Sequence, residues 1–559
     1  MTTFRGPAPD TEEGVGALTL GGLLEEACTR YPGRDAIAFC PPDAAPVRWS
    51  YDELWRQARA VARALLAVGV VKGTRVGLLL PNRPEWVASA FGTALAGGVV
   101  VPFSSWAHDE ELDHLLRHSD IAVLITESRF QIVFTGQLRA LCPELADAVP
   151  GQLRSARYPF LRRVVDVTAD RTSAGVQSWA EFLREGDVVP DRLLTIATEQ
   201  VTPADDAIVI YTSGTTALPK GVLHAHRGPA LQVWRFASRQ RLVETDRVLT
   251  SFPFCWTAGI AMVLGATLAA GGCLVVQEVF SADEVLRLID AEAVTDVRLW
   301  PHQAAQVRDH PDRHRYRLTS LRRDRDRFDR RADGESGMLG SSAAGYGMSE
   351  TFTIVTSAPV DAPHDVVFGS HGYVLPGNAV RILDPGTGAP LGPGQEGEIA
   401  VKGRTLMRGY VKLPPEACFD DDGFFHSGDT GFVDVQGLLH WTGRSADLIK
   451  TGGANVSPVE LETLLSRHPG VQAAAAVGLP DPLLGEVTVA CVIRAPGADV
   501  DAEEIRRFVR ERVAAYKVPR HVLFFTEDEL PLTANHKIQL GELRALASAR
   551  LGAPGIVSG

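Results

Sequence analysis

Lysine is scarce in this 559-residue chain. It stands at seven positions (Lys72, Lys220, Lys402, Lys412, Lys450, Lys517 and Lys537), and arginine supplies the other 49 of the 56 basic residues. Cysteine is as sparse. Cys28, Cys40, Cys142, Cys255, Cys273, Cys418 and Cys491 are odd in number, lie far apart and form no CxxC pair. That pattern excludes a disulfide framework and a zinc knuckle, and it fits a reducing cytosol. Positive charge is in deficit overall. A formal net charge of -12 and a pI of about 5.7 argue against a general nucleic-acid binder, while leaving room for a local anion site.

Long apolar runs are also few. Residues 1–14 are polar and acidic, with no signal core. The uncharged stretch 252–276 has the length of a membrane span, but Pro253, Gly265 and the pair Gly271 and Gly272 interrupt it. A buried helix, a turn and a buried strand are predicted there instead. The C-terminal residues carry no peroxisomal or prenylation signal. No short-period repeat is visible.

What is present is a globular composition, 45% hydrophobic and 22% charged, at a length that calls for more than one domain. Ser50 and Glu53 form a capping-box pattern ahead of an apolar face made by Leu54, Ala58, Val61, Ala62 and Leu65, and Gly69 can close that helix. Apolar strands are predicted at 76–80, 99–101 and 122–125. Alternating helix and strand reads as α/β with parallel sheets. Near residue 385 the texture changes to short strands between Gly/Pro turns, a small β-rich subdomain. Beyond Arg444 strands and helices mix again, with Ile505, Phe508, Val509 and Val513 on one side of a predicted helix. The expected organisation is α/β: a large N-terminal domain, 1–445, of α/β subdomains plus the β-rich one, then a small mobile α+β domain, 446–559.

The most specific motif is YTSGTTALPKG at 211–221, directly after the strand-like run 207–210. Gly214 lets the backbone approach a ligand, and Ser213, Thr215 and Thr216 offer hydroxyls to phosphate oxygens. Successive amides in such a loop cradle an anion, and Lys220 adds a compact charge. It is not the GxxxxGK[ST] pattern. A second motif, GYGMSET at 345–351, offers a flat ring in Tyr346 for a purine and a carboxylate in Glu350 suited to magnesium. A third pairs FHSGD at 425–429 with WTGR at 441–444; the Asp429 carboxylate can accept from two vicinal hydroxyls. The segments DLIKTGGANVSP at 447–458 and PLTANHK at 531–537 complete the set.

On these motifs the chain resembles the acyl-adenylate-forming enzymes, the superfamily of acyl-CoA synthetases, firefly luciferase and peptide-synthetase adenylation domains. The resemblance runs from about Leu18 to Leu546 and takes in RWSYDEL at 48–54 and LPNRPEW at 80–86. It implies an ATP-dependent carboxylic acid–CoA ligase that makes an acyl-AMP, releases pyrophosphate and passes the acyl group to CoA. It places the nucleotide on Thr212, Ser213, Gly214, Thr215, Thr216, Lys220, Gly345, Tyr346, Gly347, Thr351, Asp429 and Arg444. It puts magnesium on Glu350 and Thr216, and Lys537 at the substrate carboxylate and the α-phosphate. Lys450, Gly452 and Gly453 are assigned to the thioester-forming half, along the pantetheine path. ATP, Mg2+ and CoA are the implied cofactors and co-substrates. A small carboxylic acid is the implied partner, without nucleic acid or a membrane span, in the cytoplasm, with a homodimer allowed.

The acid pocket is read from SFPFCWTAG at 251–259, where relatives often carry His in place of Trp256. Trp256 and Gly259 are assigned to the pocket; the indole would narrow it or gate the thiol tunnel, and an apolar medium-chain, cyclic or aryl acid is expected. No aspartate stands there to hold an amino group, and no carrier domain follows residue 550, which disfavours a peptide-synthetase module. Three further features depart from the family pattern. Ala446 stands where the hinge usually carries Asp or Lys, and His536 stands where glycine usually precedes the lysine. The run 322–335, with eleven of fourteen residues charged, stands where relatives have a glycine-rich adenine loop; either ATP binding is altered there or a local shift of reading frame has scrambled the segment. A catalytically weak nucleotide- or acyl-binding homologue, or an adenylating enzyme with another acceptor, are the alternatives.

Overall fold

Runs of Val, Ile and Leu without polar alternation call for strands covered on both faces. In the larger sheet the strand order is Gly409–Tyr410, Lys220–Ala225, Asp206–Thr212, Val99–Pro102, Arg75–Leu79, Val123–Thr126, Arg163–Asp166 and Val176–Ser178. The last six are parallel; the first two are antiparallel additions at one edge. A second sheet runs Asp296–Arg298, Arg247–Thr250, Cys273–Val276, Asp35–Phe39 and Val47–Ser50, with only the last antiparallel. The computed structural model from which this is read describes residues 2–42, 44–107, 109–129, 134–212, 219–322, 345–359, 362–363, 366, 369–444, 449–451, 454–481, 484–513, 517–531 and 538–552, with backbone alone at 301, 302, 444, 450, 454 and 455.

One buried core joins the two sheets. Ile37 and Phe39 of the smaller sheet and Val76, Leu78 and Val100 of the larger share it with helices Tyr51–Ala67, Pro84–Leu95 and Arg227–Arg239. The predicted face of helix Tyr51–Ala67 is the buried one, with Leu54, Ala58, Val61, Ala62 and Leu65 fully covered. Ser50 caps it by accepting from the Glu53 amide at 3.2 Å. The reciprocal half of the capping box is not what Glu53 makes: its carboxylate turns to Arg56 and Gln57. Gly69 closes the helix at φ +88°.

The 252–276 stretch is buried, as expected, but its helix is not a plain α-helix. Gly259–Gly265 winds as a π-helix that continues into Ala266–Ala269, Gly271 turns the chain at φ +78°, and Cys273–Val276 is the buried strand. No helix among the described residues is long and apolar enough to cross a membrane.

The β-rich subdomain is a five-stranded antiparallel sheet of Phe4–Arg5, Asn378–Leu383, Gly397–Gly403, Phe425–Val433 and Leu439–Arg444. Its first strand comes from the far N-terminus, where Phe4 pairs with Val380. A small sheet of Gly345–Met348, Thr353–Ser357 and Tyr373–Val374 lies between it and the α/β part in sequence. The C-terminal domain is α+β. Ala454–Val456, Ile449–Thr451, Gly485–Arg494 and Val471–Asp481 are antiparallel, His521–Phe524 joins in parallel, and helices Pro458–Leu465, Ala502–Arg510 and Leu540–Arg550 accompany them. The architecture is therefore a large α/β N-terminal domain with mixed sheets and a smaller C-terminal α+β domain.

Candidate active site

The strands Asp206–Thr212 and Lys220–Ala225 form a hairpin in which Thr212 faces Lys220 and Tyr211 faces Gly221. Ser213, Gly214, Thr215 and Thr216 fall between them, outside the described residues. Next in the sheet is Gly409–Tyr410. The Lys220 Nζ sits 5.3 Å from the centroid of the Tyr410 ring, and the Tyr410 hydroxyl donates to Glu350 Oε1 at 2.7 Å. An ammonium, a phenol and a carboxylate thus converge from three separate segments.

Glu350 lies in the short turn Ser349–Thr351, which is tied down on several sides. The Met407 amide donates to the Glu350 carbonyl at 2.7 Å. His224 is fully buried, and its Nε2–H donates to the Ser349 carbonyl at 2.7 Å. A carbonyl can only accept, so the proton is on Nε2. Burial pushes this imidazole down to about 4, so it is neutral at pH 7. Thr351, 1% exposed, spends its hydroxyl inside the turn, accepting from the Met348 amide at 3.1 Å and donating to the Thr353 carbonyl at 2.7 Å. The next two residues, Phe352 and Thr353, take φ of +49° and +107°. Side chains of L-residues rarely tolerate that region, so the chain is strained two and three residues after Glu350.

Tyr346 stands on the strand before this turn, and its hydroxyl donates to Asp429 Oδ2 at 2.8 Å. Asp429 in turn faces Arg444 across the antiparallel pair Phe425–Val433 and Leu439–Arg444. Gly347 is required by close approach, since a Cβ there would lie 1.7 Å from the Thr353 carbonyl oxygen. Of the nucleotide residues read from sequence, the fold brings together Tyr346 with Asp429 and the Arg444 backbone, and Lys220 with Glu350. Lys450 lies on strand Ile449–Thr451 opposite Asn455; its side chain, Gly452, Gly453, Ala446, His536, Lys537 and 323–344 are outside the described residues.

Trp256 follows the strand Arg247–Thr250 and has two aromatic neighbours. Trp106 lies 6.2 Å away and Trp300 6.1 Å away, centroid to centroid, and Phe252 packs on Trp300 at 4.5 Å. Asn82 fixes the entry to this segment. Its Nδ2–H donates to the Phe252 carbonyl and its Oδ1 accepts from the Phe254 amide, both at 2.9 Å. Gly259 has no room for a side chain, because a Cβ would lie 2.0 Å from the Pro253 carbonyl oxygen. Helix Arg227–Arg239 links this wall to the Glu350 turn. Gln232 donates to the carbonyls of Thr351 at 3.1 Å and Ile354 at 2.7 Å, while Val233 packs where a Gly265 Cβ would be.

Sequence reading did not single out Tyr410, His224, Gln232, Trp106 or Trp300. Trp106 and Trp300 follow the carboxyl ends of parallel strands Val99–Pro102 and Asp296–Arg298, where α/β proteins place ligands, and that rule could have found them. Tyr410 is on a two-residue edge strand that carries no periodic signal.

Among the described residues no group of three or more His, Cys, Asp or Glu could hold a metal ion alone. The single carboxylate of Glu350 fits a magnesium ion that keeps most of its ligands as phosphate oxygens and water. A surface basin of about 500 Å³ along Arg308–Leu321, lined by Arg308, His310, His314 and Tyr316, contains none of these residues.

Comparison with known proteins fits this arrangement. The AMP-binding enzyme family matches residues 24–411, and the AMP-binding enzyme C-terminal domain matches residues 460–537. A feruloyl-CoA synthase of Amycolatopsis sp. is 34% identical, over 89% of this chain and 93% of its own length. The anthranilate CoA ligase AuaEII, solved in complex with anthranoyl-AMP, has a TM-score of 0.78 at 27% identity, covering 97% of this chain and 99% of that one. ATP-bound MatB from Rhodopseudomonas palustris has a TM-score of 0.75 at 26% identity, covering 95% and 99%. The chain belongs to the AMP-binding, acyl-adenylate-forming enzyme superfamily.

Proposed function

We propose that this chain is an ATP-dependent carboxylic acid–CoA ligase acting on an apolar acid, with aryl acids favoured over medium-chain or cyclic ones. The observation that carries the reading is the convergence of Lys220, Tyr410 and Glu350 at the hairpin end, beside the Tyr346–Asp429 pair. The first group suits a triphosphate and the second a nucleoside. The indoles of Trp106, Trp256 and Trp300 offer flat apolar surface to an aromatic ring. The names of the feruloyl-CoA synthase and the anthranilate CoA ligase point the same way.

A carboxylate is a poor acyl donor because its leaving group is oxide. In the proposed first step a carboxylate oxygen attacks the α-phosphorus and the bond to pyrophosphate breaks. Two anions must meet, so positive charge and donors are needed at the phosphates. Lys220, Thr212, the hydroxyls of Ser213, Thr215 and Thr216, the Gly214 backbone and Lys537 supply them. Glu350 and Thr216 would hold magnesium, which adds Lewis-acid charge at the phosphate oxygens. Tyr410 fixes the Glu350 carboxylate. Tyr346, between Gly345 and Gly347, carries the adenine; Asp429 and Arg444 hold the ribose, and Thr351 braces the turn. In the second step the CoA sulfur attacks the acyl carbonyl and AMP leaves. Lys450, Gly452 and Gly453 serve that half after the C-terminal domain, bounded at 445/446, has turned and withdrawn Lys537. A reducing cytoplasm is the proposed setting; the seven cysteines are free and buried.

The two halves can be measured apart. Lys537→Ala should slow acid-dependent pyrophosphate release by about 10²–10³-fold, while thioester formation from a synthetic acyl-adenylate keeps its rate. Lys450→Ala should do the reverse. Equal losses in both halves would contradict the division of labour. Transfer to an amine rather than to CoA would identify a different acceptor.

A further inference from the structure

Two histidines outside the proposed machinery sit against the ends of the Lys220 hairpin. His114 and His118 are one turn apart on helix Asp109–Ser119, and their rings stack at 5.2 Å with 24° between planes. His114 Nε2 lies 3.0 Å from the Pro219 carbonyl oxygen, and since a carbonyl accepts, His114 donates. That carbonyl belongs to the peptide bond leading into Lys220. His118 Nδ1 lies 2.9 Å from the hydroxyl of Tyr211, the residue across the hairpin from Gly221. His114 thus holds the backbone where it leaves the loop, and His118 holds a side chain of the strand that leads into it.

The helix that carries them is itself fixed. Leu112, Leu115 and Leu116 are buried in the core on the outer face of the large sheet. Its end is tied by Arg75, which donates to the Ser119 carbonyl at 2.9 Å, and by Lys412, which donates to the Arg117 carbonyl and pairs with Asp120 at 2.9 Å. Burial, with His114 and Lys412 nearby, holds the His118 pKa below its ordinary value. A neutral imidazole carries one proton, so His118 Nδ1 and the Tyr211 hydroxyl share a single hydrogen bond in which either one donates.

We infer that His114 and His118 are positioning residues that set the place of Lys220 opposite Glu350, and through it the affinity for the ATP β- and γ-phosphates. The inference rests on the ligase reading above. It does not involve the adenosine pocket, where Tyr346 and Asp429 lie on other elements. The histidines touch no proposed ligand; they act through the Pro219–Lys220 peptide and through Tyr211.

Equilibrium titration with MgATP and, separately, with AMP tests this. His114→Leu removes the donor and His114→Gln keeps one. For His114→Leu the Kd for MgATP should rise about fivefold or more, as loss of one hydrogen bond would give, and the Kd for AMP should move less than about twofold. His114→Gln should recover most of the MgATP affinity, and Tyr211→Phe should weaken MgATP in the same selective way. A structural role alone would move both nucleotides together, or lower only the melting temperature, and either result overturns the inference. So does an unchanged MgATP Kd in His114→Leu. A parent protein that binds AMP but not MgATP overturns the ligase reading and this inference with it.

Discussion

Tyr410 is the residue on which the charge arrangement turns. Its ring lies under the Lys220 ammonium and its hydroxyl holds Glu350, so one side chain couples the ammonium to the carboxylate. A hydrogen bond to a charged group is worth about 1.5–3 kcal/mol, so Tyr410→Phe should lower the pyrophosphate-release rate roughly ten- to a hundredfold. Fold and melting temperature should stay near the parent's, because the ring is kept. A Tyr410→Phe enzyme as fast as the parent would detach Tyr410 from catalysis. The residue was not legible in the sequence. Lys220 and Glu350 announce themselves through neighbouring glycines and hydroxyls, whereas Tyr410 enters only through a short strand pairing, Val222 opposite Tyr410.

The telling element is the π-helix Gly259–Gly265. Wider turns are rare, and they gather at functional sites. Here the distortion follows Trp256 and packs against helix Arg227–Arg239, whose Gln232 reaches the Glu350 turn. Gly259→Ala would drive a methyl into the Pro253 carbonyl, and overpacking of this kind costs about 1–3 kcal/mol. A lowered thermal midpoint is the expected result, and an unchanged one would show that the segment can shift freely. The stretch was legible as buried helix, turn and strand, because Pro253, Gly265 and the Gly271–Gly272 pair punctuate it. Its π winding was not, because backbone register depends on packing rather than on composition. The capping-box pattern at Ser50 and Glu53 shows the same limit. Ser50 caps the helix, but Glu53 has Arg56 and Gln57 within reach and turns to them.

At the scale of the whole molecule, the α/β class and the β-rich subdomain could be read from period and turn chemistry. The pairing of Phe4 with Val380 could not, since nothing local ties residue 4 to residue 380. Long-range closure of this kind also buries histidines far apart in sequence. His224, His226 and His371 are each pushed down to about 4, in every case chiefly by burial. The unfolded chain takes up their protons near pH 6.5, before the folded protein does. Stability should therefore be full above about pH 6.5 and fall as pH drops toward 4, by up to about 1.4 kcal/mol per pH unit for each histidine. Denaturant midpoints across that range check this, and a flat profile would contradict the burial of these rings. All of these scales meet in one claim: the Lys220 hairpin and the Glu350 turn exist to let ATP activate a carboxylic acid. Acid-dependent pyrophosphate release, measured over a panel of aryl and aliphatic acids for the parent and for Glu350→Gln, tests it most directly. Release with aryl acids is expected in the parent, with a loss of about a hundredfold or more in Glu350→Gln; no acid-dependent release, or equal rates in the two proteins, would contradict that claim.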